Sequence, residues 1–351
     1  MTGAGRIDVH HHLVPRAYRR WLGGRGLTAG GLPIPSWSTA AALAVMDDQR
    51  VATAVVSVSA PGVEGAERDD ARRMARLVNE EAAALRRDRP DRFGFFATLP
   101  LGDPDGALEE VRHALDDLAA DGVVLLTSHR GRYLGHPAFR PVLDELERRR
   151  AVVLVHPTEA RAGDGTDPVD DVPAYAVDFL LETTRCALSL ARTGVLDRQR
   201  VRIILSHAGG FLPYAAYRVA LFTGRSPLAA APALGTAPAT GTAPSFRGVE
   251  RLRRFYVEVA LSAAPATLPS LLAFAAPGHV LFGSDFPYAP AEIGAAFTAL
   301  LDAYDLPAGT RRSLDRGAAE ALFPRLAGAT PSPAGTGPGG ATGGRGRWRR
   351  R

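Results

Sequence analysis

The chain has 351 residues, 46% apolar and 23% charged, ordinary proportions for a globular protein able to bury an extensive core. Its formal charge of +5 belongs to the last nine residues, Gly343 to Arg351, which hold five arginines and no acid; the body is neutral, so no nucleic-acid partner is expected. No run of eighteen apolar residues and no charged-then-apolar leader is present, and the expectation is a cytoplasmic protein with no membrane partner.

The first strand candidate, Ile7 to His10, runs on into His11 and His12. Alternate side chains of a strand share a face, so His10 and His12 point together and His11 turns away. Neutral imidazole is the commonest protein ligand for a transition metal, and two on one strand end make half of a site. Further β-branched runs follow at Val51 to Val58, Phe93 to Ala97, Val123 to Thr127, Val152 to His156, Val201 to Ser206, Phe255 to Val259 and His279 to Phe282. Between them lie stretches with apolar residues at helical spacing: Thr39 to Gln49, Arg68 to Arg87, Asp105 to Ala120, Pro137 to Arg150, Tyr175 to Thr193, Ala264 to Ala275 and Pro290 to Tyr304. Eight strands alternating with helices predict an α/β fold, a closed (β/α)8 TIM barrel, with an open doubly wound sheet as the alternative.

Two stretches have no periodicity. Arg161 to Pro173 follows the fifth strand directly and is a candidate wall of the site. Residues 222–246, rich in Ala, Pro, Gly and Thr, read as a long surface loop without a domain boundary. The domain is expected over residues 1–326, followed by a disordered Gly/Pro/Arg-rich tail over 327–351 whose composition cannot bury a core.

All 42 basic residues are arginine. Schiff-base chemistry, a Walker lysine and a carbamylated-lysine metal bridge are thereby excluded. The single cysteine, Cys186, has no partner for an internal disulfide and reads as a core residue of a helix.

His156, His207 and Asp285 each come just after an apolar run and near a Pro or Gly, where barrel enzymes place their chemistry. With His10 and His12 they form a set that fits one transition metal and an open position for water or substrate. Taken singly, each has a plainer reading: a packing histidine at a strand end, or Asp285 as a helix cap.

The order Ile-Asp-Val-His-His-His, Val-His-Pro, Ser-His-Ala-Gly-Gly, Phe-Gly-Ser-Asp-Phe-Pro resembles the amidohydrolase superfamily, and within it the amidohydrolase-related branch. That branch holds the aminocarboxymuconate semialdehyde, γ-resorcylate and 6-methylsalicylate decarboxylases. The resemblance implies that His10, His12, His156 and Asp285 bind one divalent metal, Zn2+ as first expectation and Mn2+ as second. His207 would be the catalytic histidine, with Asp285 the other candidate for proton delivery. Arg218, eleven residues after His207, matches an arginine that reaches a neighbouring subunit's site, which implies a homodimer; a helix-surface ion pair is its alternative reading. Arg130, with Arg132 and His129 beside it, is a candidate contact for an anionic substrate.

Three departures are visible. Ser38 to Val45 lacks the arginines with which the aminocarboxymuconate enzyme grips a dicarboxylate, and the stretches Ser57 to Gly62 and Leu126 to Leu134 look more like the 6-methylsalicylate side. Glu258 stands where these relatives have aspartate, and Ala318 where they usually have asparagine. The expected activity is a metal-dependent carboxy-lyase acting on an aromatic or enol-type carboxylic acid. The alternatives are a metal-dependent hydrolase of a lactone or amide and, less favoured, a non-catalytic metal-binding protein.

Overall fold

Runs of Val, Ile, Leu and Phe buried on both faces build eight parallel strands: β1 (Arg6–His12), β2 (Val51–Ser57), β3 (Phe93–Thr98), β4 (Gly122–Leu126), β5 (Val152–His156), β6 (Arg202–Leu205), β7 (Tyr256–Glu258) and β8 (Val280–Leu281). Neighbours in sequence are neighbours in the sheet, and a parallel bridge from Asp8 to Phe282 joins the last strand to the first. The sheet is therefore the predicted closed barrel. The structure is a computed structural model that describes residues 5–159, 172–197, 201–220 and 248–327. The 222–246 loop, most of the stretch after β5 and the tail beyond residue 327 lie outside those residues.

The helices are α1 (Arg16–Gly23), α2 (Thr39–Asp48), α3 (Arg68–Asp88), α4 (Pro104–Arg112), α5 (Arg140–Arg149), α6 (Ala174–Arg192), α7 (Leu212–Ala220), α8 (Gly248–Leu252), α9 (Thr267–Phe274), α10 (Ala291–Ala303), α11 (Ala308–Arg312) and α12 (Ala318–Leu322). Their starts are chemically marked: Ser38 accepts a hydrogen bond from the Ala41 N–H at 3.2 Å to cap α2, and Pro104 opens α4. Among the described helices none is long and apolar enough to cross a membrane.

Strand alternation sorts the core into two layers. Outward residues such as Val56, Phe95, Leu125, Val153 and Leu205 pack on the helices together with Cys186, whose thiol is pushed up to about 12 by burial. Inward residues Ile7, Val9, Val55, Phe96, Val124 and Leu154 fill the lumen, which α12 closes from below with Ala318, Ala319 and Leu322. This plug leaves only the opposite, C-terminal end of the barrel open for chemistry. Ala318, noted for its missing asparagine, packs here as a fully apolar residue.

One feature of β1 departs from simple alternation. Ile7 and Val9 face the lumen, so strict alternation would turn His10 and His12 outward. A shift in the pairing with β2 between Asp8 and His11 restores them to the inner face. Asp8 and His11 are left together on the other side, with His11 Nδ1 3.1 Å from Asp8 Oδ2.

Candidate active site

The strand ends bring His10, His12, His156 and Asp285 together as predicted, with one ligating atom of each lying within 4.8 Å of the others. All four are buried. The tautomers follow from their partners, because a carbonyl or carboxylate oxygen only accepts. His10 Nδ1 donates to Glu258 Oε1 (2.7 Å), His12 Nδ1 to the Ser57 carbonyl (3.1 Å) and His156 Nδ1 to the Pro157 carbonyl (2.7 Å). Each ring therefore turns Nε2, the nitrogen left to bind a cation, toward the centre.

There the distances are short. His10 Nε2 lies 3.0 Å from His12 Nε2 and 3.4 Å from Asp285 Oδ1, and His12 Nε2 lies 3.0 Å from Asp285 Oδ1. Nitrogen lone pairs and a carboxylate this close need a cation between them, whether a proton or a metal. Three imidazoles and one carboxylate match the donor set of a divalent transition metal with an open coordination position.

The electrostatics carry the same imprint. Burial opposes ionisation of Asp285, yet His10, the hydrogen bond to His12 and His207 hold its carboxyl well below the usual carboxylate range. Burial lowers His10, but Glu258 and Asp285 outweigh it and raise that imidazole to about 9. Burial and the neighbouring imidazoles keep His156 far below the ordinary histidine value. A site that holds a proton on His10 in order to compensate two carboxylates is one that a dication can take over.

His207 stands beside the cluster, its ring 4.9 Å from His10 and 6.1 Å from His156. Its Nδ1–H is donated to the Ala260 carbonyl at 3.1 Å, so Nε2 is the nitrogen left for chemistry. The backbone here is forced: His207 (φ 53°), Ala208 (φ 57°), Leu261 (φ 50°) and Asp285 (φ 62°) all adopt the left-handed region without being glycine. Each such residue costs about 1 kcal/mol or more, and such strain gathers where side chains must be aimed.

Glu258 does more than its position at β7 suggested. Fully buried, it accepts from His10 Nδ1, from the His207 backbone N–H at 2.6 Å and from the Ala260 N–H at 2.5 Å. One carboxylate thus orients His10 and the loop that presents His207. Burial disfavours its charge, but His10 and these donors hold it ionised. Gly283 makes room for it, since a Cβ there would overlap Glu258 Oε2 and His10.

The cluster opens into a cavity of about 790 Å³ lined by His156, His207 and Asp285 at its floor and by Phe179, Leu261 and Phe297 among its apolar walls. Arg130 is not brought to it. It sits exposed in the Arg130–Gly131 turn of a hairpin, Ser128–His129 paired with Arg132–Tyr133, whose backbone N–H is held by Glu64 at 2.7 Å. It lines a separate depression with Gly102 and Asp103, and its neighbour His129 pairs with Glu64. Arg218 is exposed on α7 and forms no ion pair among the described residues, which removes the reading of a surface ion pair within them. Tyr288, three residues beyond Asp285, lines the cavity and was not singled out in the sequence, because no spacing rule marks a tyrosine after the metal motif.

The sequence profile of a family described as amidohydrolase matches residues 7–325. The chain belongs to the amidohydrolase family. This amidohydrolase is 43% identical over 335 residues to the 6-methylsalicylic acid decarboxylase of Penicillium expansum, across 92% of this chain and 97% of that protein. Among solved structures, an amidohydrolase II superposes with a TM-score of 0.81 at 27% identity, over 91% of this chain and 99% of that one. The structure of 2,6-dihydroxybenzoate decarboxylase with 2,6-dihydroxybenzoate superposes with a TM-score of 0.72 at 25% identity, over 92% and 99%.

Proposed function

We propose that this amidohydrolase is a metal-dependent carboxy-lyase that removes carbon dioxide, without oxidation, from an aromatic acid of the 6-methylsalicylate type. The observation that carries the reading is the charge pattern of the cavity. Among the described residues that line it there is no arginine, and the polar floor of histidines and Asp285 lies under apolar, aromatic walls. An acid with one carboxylate and an apolar ring fits this, its anion met at the floor and its ring against the walls. The identity to a 6-methylsalicylic acid decarboxylase over nearly the whole of both chains supports the same substrate class.

In this reading His10, His12, His156 and Asp285 hold the metal, Zn2+ ahead of Mn2+ because three imidazole nitrogens and one carboxylate suit zinc. When bound, the ion supplies Lewis-acid charge for the carboxylate and for an oxygen ortho to it. His207 carries the proton at Nε2 to the carboxyl-bearing ring carbon; the ring–carboxyl bond then breaks, its electrons return to the ring, and carbon dioxide leaves. His207 is assigned this step ahead of Asp285, whose carboxyl the neighbouring imidazoles hold ionised. Leu261 and Phe297 exclude water from the ring, which favours loss of carbon dioxide over side reactions. Glu258 fixes the direction of His10 and of the His207 loop.

The working form is proposed to be a homodimer with Arg218 reaching the partner's site. Supporting this, α7 presents Tyr214, which lines the cavity, at 88% exposure and carries the exposed Arg218 one turn further on, a surface suited to a second copy. A cytoplasmic location belongs to the same proposal.

The test is to incubate metal-loaded protein with hydroxylated benzoates and with lactones, measuring carbon dioxide against acid release. Carbon dioxide from a hydroxybenzoate is expected; turnover of lactones with no acid losing its carboxyl group would make the protein a hydrolase. His207→Ala is expected to abolish turnover with metal content near that of the parent, whereas loss of the metal would make His207 a ligand.

A further inference from the structure

Tyr288 is anchored from behind. Its ring packs on the small core built around α1, where Tyr18 and Trp21 lie, and stands edge-on to His12 with centroids 5.2 Å apart and planes at 87°. Its neighbour Tyr18 shows what a buried phenol in this core normally finds, since the Tyr18 O–H is donated to the Gly62 carbonyl at 2.7 Å. The Tyr288 hydroxyl is buried and has no hydrogen-bond partner, although the ring lines the active-site cavity. Neither His12 nor Asp285 accepts from it. Among the described lining residues of this cavity it is the one side chain with a buried, unpartnered polar atom.

Buried hydroxyls are almost always paired, and an orphan costs free energy that a stable fold avoids unless a ligand supplies the partner. The missing partner here has defined chemistry. Tyr288 carries an O–H to donate, the Asp285 carboxylate nearby already supplies negative charge, and no arginine lies among the described lining residues to neutralise an entering anion. The geometry points to the Tyr288 hydroxyl as the hydrogen-bond donor to an oxygen of the bound aromatic acid, fixing how the ring lies over the site. This rests on the function proposed above and adds to it a residue that selects acids by their oxygen pattern. A rigid donor whose alternative is to be left unpaired discriminates between ligands that carry its acceptor and ligands that lack it far better than an apolar wall does.

The experiment measures binding of 2-hydroxybenzoate and of benzoate by calorimetry to the metal-loaded full chain, in a His207→Asn background that prevents turnover, with and without Tyr288→Phe. Metal content and thermal midpoint are recorded for both proteins. Tyr288→Phe keeps the ring and removes the unpaired hydroxyl, so metal content is expected to be unchanged and the midpoint unchanged or higher, while 2-hydroxybenzoate binds about tenfold more weakly. A loss confined to 2-hydroxybenzoate places the acceptor at the ortho oxygen, and an equal loss for benzoate places it at the carboxylate; either result supports the inference. Equal affinities with and without the hydroxyl overturn it while leaving the decarboxylase reading intact. So does a weakening that comes with lost metal or a lowered midpoint, since the effect is then structural. If the protein that retains Tyr288 binds neither acid, the proposed substrate class is wrong and the inference falls with it.

Discussion

Glu258 concentrates the most consequence in one side chain, because its two oxygens serve the His10 imidazole, the backbone of His207 and the Ala260 N–H at once. Glu258→Gln replaces an acceptor-only group by one with an N–H2 arm, so at least one of those three donors must face another donor. The carboxylate also raises the basicity of His10, which the amide cannot do. Metal affinity is therefore expected to fall about 10- to 100-fold, measured by competition with a chromophoric chelator. Unchanged affinity would show that His10 is oriented by other means. At this scale the convergence of His10, His12, His156, His207 and Asp285 was legible in the sequence, since they sit where strand ends meet turns and that rule is purely topological. Arg130 shows where the rule stops, because a charged residue just after a strand can still be carried out of the cavity by a two-residue turn. Tyr288 shows the converse: its importance arises from a missing hydrogen bond, which only packing reveals.

Among the elements, the eight strands were legible because a parallel strand buried on both faces is a continuous apolar run, and each appears within two residues of its expected bounds. The shifted pairing of β1 was not. Alternation placed His10 and His12 on one face correctly but said nothing of Ile7 and Val9, which share that face only because the strand is rephased. The helix α1 also escaped, being eight residues long with three arginines and no side-chain cap. The close approach of β8 to β7 is the element-scale feature with a direct test. Gly283 lies where a side chain would meet Glu258 and His10, both immobilised by hydrogen bonds, so neither can give way cheaply. Gly283→Ala is expected to lower stability by about 1–3 kcal/mol, the range of an overpacked core, and to weaken metal binding along with it. Thermal unfolding of the metal-free protein separates the two effects. A variant as stable as the parent would mean that β8 moves away from β7 without cost.

For the whole molecule the open architectural statement is the dimer, and Arg218 allows it to be tested through function. If each active site takes Arg218 from its partner, Arg218→Ala and His207→Ala damage different sites of a mixed dimer: one site carries both defects and the other carries neither. Two inactive homodimers, co-expressed or refolded together, would then regain activity, about a quarter of the wild-type level for random pairing of two equally abundant chains. If Arg218 serves its own chain, every site in every dimer keeps one defect and mixing restores nothing. The exposed aromatic surface of α7 beside the cavity is the observation that favours the first result. Sedimentation of the parent at assay concentration supplies the control: a single-chain mass there would remove the dimer, and with it the role proposed for Arg218.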